Sequence, residues 1–232
     1  MKHILKSSKE IIITYILTYL ITIISALIYY ILGYDYVDHF LNNICPYILI
    51  PFYILTIIYL YKKNHKQETS LSKKQYFPLI LLGLSIAIFL NMIIFKFYPP
   101  QSIIKPNFIT IISTSLIGPI YEEILFRYLL YNRLKTKYPI KKAILITTII
   151  FSLIHLSPIK IIYAFLLGLV LNICYEKYNN ILAPILIHIS ANLIANFLFE
   201  YNTYILILSL ISLLLGIYLN FKNTCRKKIN IV

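Results

Sequence analysis

The groups able to do chemistry fall in three short runs. The first, Gly118 to Arg127, reads Gly-Pro-Ile-Tyr-Glu-Glu-Ile-Leu-Phe-Arg; the second, Phe151 to His155, ends in a histidine; the third, His188 to Asn192, reads His-Ile-Ser-Ala-Asn. Glu123 and Arg127 are four residues apart and share a helix face, so they can form an ion pair. Glu122 points about 100° away and is left without a countercharge on its own helix. Pro119 has no N–H to donate and loosens the helix one turn before the acids. Phe151 and His155 share one face, as do His188 and Asn192, which offers two donors about 6 Å apart. A carboxylate, two imidazoles and an amide suit hydrolysis. A carboxylate taken out of water is a stronger base, and His155 could share or orient the water's proton. His188 and Asn192 could donate to the oxyanion as a carbonyl becomes tetrahedral. The same atoms allow a metal site, since Glu122, His155 and His188 match the three ligands of a catalytic zinc. There is no HExxH and no GxSxG, so neither the helix-borne zinc arrangement nor a serine nucleophile elbow is present. Taken singly, each group also serves as an interhelical hydrogen bond or packing ion pair.

These runs lie in strongly apolar surroundings. The chain has 232 residues, 59% hydrophobic and 13% charged, with a mean hydropathy of +0.78. Soluble domains are about 45–50% apolar and about a quarter charged, so a soluble enzyme is excluded, and disorder with it. Three cysteines, Cys45, Cys174 and Cys225, are too few and scattered for a disulfide framework or a CxxC site. A bilayer core about 30 Å thick needs about 20 apolar residues per helix. Uncharged runs predict eight spans near 11–32, 41–61, 76–98, 108–132, 143–156, 161–178, 181–199 and 204–221. The fold class is therefore an all-α, polytopic membrane protein with about eight transmembrane helices and a buried intramembrane active site. The fifth span is short and stops at Ser157-Pro158, a break tolerable within a membrane only where it faces protein or a wet cavity. By segment, residues 1–107 carry the first three helices, 108–199 the three motifs, and 200–232 the last helix and a basic tail, all in one membrane domain.

Charge orients the bundle. Lys+Arg total 22 against 8 Asp+Glu, a net charge of +14. With eight alternating helices, eighteen basic residues fall on the side of the termini: Lys2, Lys6 and Lys9; Lys62 to Lys74; Arg133 to Lys142; Lys177; and Lys222 to Lys228. Lys96, Lys105 and Lys160 fall on the other side, and Arg127 lies inside a span. The positive-inside rule then places both termini in the cytoplasm of a cell-membrane protein. The basic excess is thus an orientation signal drawn to anionic lipid, and nucleic acid is not an expected partner. Ionisable residues within a span are costly and point to function. Among the acids only Glu122 and Glu123 lie deep in a span, and among the histidines only His155 and His188 do. At 1.5 Å per residue, His188 lies about 12 Å from the basic ends, Glu122 about 16 Å and His155 about 20 Å. Asn91, Asn172 and Asn196 read as interhelical amides.

The three motifs resemble those of the CPBP intramembrane proteases, the type II CAAX prenyl endopeptidases with their bacterial bacteriocin-processing and self-immunity relatives. The resemblance rests on EExxxR (Glu122, Glu123, Arg127), FxxxH (Phe151, His155) and HxxxN (His188, Asn192), in order and on separate helices. The run from Phe165 to Gly168, then Tyr175, Glu176 and Pro184, is similar too. It covers roughly 115–195. It implies Glu122 and His155 as water activators, with His188 and Asn192 stabilising the oxyanion and Glu123, Arg127 and Phe151 as structural support. Tyr128 stands where the family usually has Gly, and Asn172 where a second small residue is common, which bears on packing near the site. The expectation is an endopeptidase cutting a membrane-associated peptide or protein at or near the cytoplasmic face, with membrane lipids around it. Divalent metal such as zinc remains open as a cofactor. The rivals are a non-catalytic bacteriocin-immunity protein and a proton-coupled transporter using Glu and His as a relay.

Overall fold

The computed structural model describes residues 2–33, 37–64, 66–100, 106–198 and 200–222. Expectations for Asp35, His65, Lys105 and the tail from Cys225 to Lys228 lie outside the described residues, as do the side chains of Lys2, His3, Lys6 and Asp38. All regular structure among the described residues is helical: α1 (Lys2–Ile31), α2 (Val37–Asn43), α3 (Cys45–Lys63), α4 (Lys73–Phe97), α5 (Phe108–Lys135), α6 (Ile140–Leu153), α7 (Pro158–Tyr178), α8 (Leu182–Ala195) and α9 (Thr203–Phe221). Six of these segments are long and apolar enough to cross a bilayer. The protein is an all-α polytopic membrane protein. At 14 residues each, α6 and α8 reach about 21 Å and fall short of a full span. The eight expected runs correspond to eight of the nine helices; the short α2 went unforeseen.

Local sequence sets the helix ends. Gln75 accepts from the backbone N–H of Ser72 at 2.7 Å to start α4. The side chains of Asn107 and Asn202 accept from Thr110 and Ile205 at the starts of α5 and α9. Pro158 opens α7, and Asn179, left-handed with φ 44°, closes it. Outward faces of α1 and α9 expose rows of Ile and Leu, such as Ile16, Ile23, Leu208 and Ile211. In water such rows would drive association; in a bilayer they are simply solvated.

Two packed groups meet at α5. On one side α4, α8 and α9 pack around Leu79, Leu82, Ala87, Ile187 and Ala191. On the other, α1, α3 and α6 surround α5 through Leu125, Phe126, Leu129, Tyr131 and Phe151. Gly83 allows α4 and α8 to touch: a Cβ there would overlap the Ser190 hydroxyl and the Ile187 carbonyl oxygen. The basic ends of α1, α3 and α5 are held together by Glu10, which pairs with Lys63 at 3.2 Å and with Arg133. Glu176 pairs with Lys135 at 2.8 Å across α7 and α5.

Candidate active site

The centre of α5 is not a regular α-helix. Ser113–Ile117 and Ile124–Tyr131 are π-helical, with the α-helical turn Gly118–Glu123 between them. Such turns recur at functional sites. The sequence signalled only Pro119; the structure shows what that proline does. Gly118 donates its N–H to Ser113, and the next bond of that ladder would run from residue 119 to Thr114. Pro119 cannot make it, and the Thr114 carbonyl instead accepts from Asn192 Nδ2 at 3.0 Å. Asn192 thereby ties α8 to α5 and keeps one amide N–H for another acceptor. Asn196 adds a second tie, donating to Ser115 Oγ at 2.8 Å.

Glu123 and Arg127 are fully buried and paired at 2.8 Å. Glu123 also meets His188 Nδ1 at 2.7 Å through the same oxygen, a bridge that spacing along α5 could not reveal because His188 is 65 residues away. Arg127 donates to the Gly168 carbonyl at 3.3 Å and lies 4.3 Å over the Phe151 ring. Gly168 makes this stack possible, since a Cβ there would stand 3.0 Å from Phe151 and 3.5 Å from Arg127. The neighbouring Asn172 donates to Thr148 Oγ1 at 3.0 Å, binding α7 to α6. Tyr128 works elsewhere: it accepts the N–H of Lys66 at 2.9 Å and stacks on Tyr61 at the basic end.

With Nδ1 held by Glu123, His188 turns Nε2 toward Glu122, whose carboxylate is 3.7 Å away and partly exposed. His155 lies just past the end of α6. Its Nδ1 faces the Phe151 carbonyl at 3.0 Å, which as a donor leaves Nε2 as an acceptor. Ser157 donates its N–H back to His155 O at 2.7 Å while Leu156 holds φ 59°. That i→i+2 closure is a γ-turn of the strained kind, and it fixes the chain beside the imidazole. The Phe151 ring packs edge-on to His155 at 5.2 Å and to His188 at 5.9 Å.

Glu122, His155, His188 and Asn192 all line one cavity of about 420 Å³, walled also by Thr114, Tyr163 and Leu167. Its outer rim comes from Ile94, Ile159, Lys160 and Asn196, which lie at the ends of α4, α7 and α8 remote from the basic loops. A zinc ion needs three converging ligands; among the described residues no three His, Cys, Asp or Glu side chains stand close enough to hold a metal. His188 Nε2 faces Glu122 while its Nδ1 is held by Glu123, and His155 stands apart from that pair in the wall of the same cavity.

Residues 104–194 match the family model described as type II CAAX prenyl endopeptidase Rce1-like. That segment carries all three motifs and most of the cavity wall. An 82-residue stretch is 32% identical to a curated protein of Bacillus subtilis (strain 168) named "Putative membrane peptidase YdiL", covering 35% of this chain and 34% of that one. Each match covers less than half of this chain. The chain spans about a third of the length of the curated relative it matches. No solved structure matches the chain.

Proposed function

We propose that the chain is an intramembrane endopeptidase that hydrolyses a peptide bond of a membrane-associated peptide or protein. The observation that carries this reading is one cavity lined together by Glu122, His155, His188 and Asn192, within the segment similar to the Rce1-like proteases. Glu122 takes a proton from water while His155 Nε2 accepts the water's other hydrogen and fixes its direction. The water oxygen attacks the carbonyl carbon. His188 and the second N–H of Asn192 donate to the resulting oxyanion. The proton held by Glu122 passes to the leaving nitrogen as the C–N bond breaks.

His188 presents Nε2 to the cavity because Glu123 holds its Nδ1, and the Glu123–Arg127 pair beside it is fully buried. The excess of Lys and Arg on the loops at one end supports an orientation with both termini in the cytoplasm of a cell membrane.

The test is cleavage of a quenched membrane-peptide library by purified wild type, Glu122→Gln and His188→Ala, each confirmed as folded, with and without chelator. Wild type is expected to cleave and both variants to lose at least about 100-fold. Hydrolysis retained in Glu122→Gln refutes the mechanism. An inactive wild type that moves protons with a solute, or that protects cells from a bacteriocin equally well as Glu122→Gln, favours the transporter or immunity reading.

A further inference from the structure

The two ends of the site are built differently. Toward the basic loops, α5 continues below Glu123 as Leu125, Phe126, Leu129, Leu130, Tyr131 and Leu134, all essentially inaccessible. Beneath them the connection before α4 is strapped across the α7–α8 turn. The N–H of Thr69 donates to Asn179 O at 3.1 Å, and that of Ile181 to Glu68 at 3.2 Å. Lys66 Nζ reaches Asn132 at 2.7 Å, Tyr175 at 3.2 Å and Asn179 at 3.3 Å. Among the described residues, an apolar plug and a hydrogen-bonded strap stand between the cavity and that end.

The opposite end is open by construction. There α6 is short and stops before the membrane is crossed. His155 sits in the break before α7, and the exposed side chains of Thr114 and Lys160 stand at the wall and rim. Water and an extended peptide can enter beside His155.

We propose that the cavity is loaded from the non-cytoplasmic side, so that the substrate is a peptide segment presented at the outer leaflet or just beyond it. This rests on the peptidase reading for the word "substrate" and on the basic loops for sidedness; the opening itself rests on the packing. A peptide of this class has already crossed the membrane, or spans it with its cleavable bond on the outer half. The reaction that precedes this one is accordingly export or insertion of the precursor.

Accessibility labelling tests the side of entry independently of hydrolysis. In full-length protein with Cys45, Cys174 and Cys225 replaced by Ala, Lys160→Cys reports the rim, Thr114→Cys the cavity wall and Lys74→Cys the basic end. Right-side-out and inside-out vesicles are treated with a membrane-impermeant maleimide. Lys160→Cys and Thr114→Cys are expected to label at least ten times faster in right-side-out vesicles, and Lys74→Cys in inside-out ones. Labelling of either cavity reporter preferentially from inside-out vesicles overturns the proposal. Phe108→Cys, also exposed at the far end, replaces either reporter that fails to accumulate. A labelling result as expected with a wild type that cleaves nothing would leave the entry side established and remove the peptidase reading alone.

Discussion

Gly83 lies on α4, away from every reacting group, yet its substitution by Ala should disable the site. A Cβ at this position would overlap the Ser190 hydroxyl and the Ile187 carbonyl oxygen, and would lie 2.9 Å from the Ile187 carbonyl carbon. Carbon atoms in contact sit about 3.5–4.0 Å apart, so α8 must retreat by roughly 1 Å. The obstacle is backbone and cannot rotate away. Overpacking of this kind costs about 1–3 kcal/mol. The retreat displaces His188, which follows Ile187 directly, relative to Glu123 and disturbs their 2.7 Å contact. Misplacement of a catalytic group by about 1 Å can cost about 100-fold in rate. Thermal unfolding in detergent and turnover on a common peptide should therefore fall together, with helix content unchanged. Ser190→Ala in the same background should recover only part of the stability, because the Ile187 carbonyl remains. An alanine variant with wild-type melting temperature and turnover would refute the claim that α4 and α8 touch here.

Three further outcomes follow from the site and the strap. Glu123→Gln keeps the shape of the bridge but leaves Arg127 buried without its countercharge and frees the His188 ring; a loss of about 3–5 kcal/mol is expected by denaturant unfolding, together with a shifted pH–rate profile. Adding Arg127→Met should restore stability without activity, and recovery of both would mean that His188 needs no orienting partner. Asn192→Ala orphans the Thr114 carbonyl and should cost about 1–3 kcal/mol, while Pro119→Ala in that background returns an N–H to the ladder and should recover much of it; absence of any recovery would show that the proline does not create the need for Asn192. In the strap, burial raises the Glu68 carboxyl above its ordinary value of 4.5, so the folded state holds this proton more tightly than the unfolded one. The stabilisation is present below that ordinary value and is lost as pH rises through the folded one. Glu68→Gln should flatten this decline in melting temperature, and an unchanged slope would contradict it.

The parts of the site legible in the sequence are those that helix periodicity controls. Glu123 and Arg127 pair because four residues return to one face, and Glu122 is left facing elsewhere for the same reason. Scarcity of charge in an apolar chain marked which acids and histidines lie deep, since burying an ionisable group in a bilayer is too costly to be incidental. Spans were legible as well, because a bilayer imposes a length. The π turns were not, because they depend on which carbonyl finds a donor, and that donor for Thr114 comes from Asn192, 78 residues away. Tyr128 was read as a packing change near the site and turned out to fasten the Lys66 strap.

By itself, then, the sequence determined an all-α membrane bundle, which of its groups are polar at depth, and which of them share a helix face. Each of these follows from local chemistry and the bilayer's thickness. Only the tertiary structure decided that Glu123 serves Arg127 and His188 at once, that Asn192 replaces a proline's missing donor, and that Glu122, His155, His188 and Asn192 line one cavity. Those are relations between helices. They are set by where α4, α5 and α8 can approach, and no spacing along one helix contains that distance.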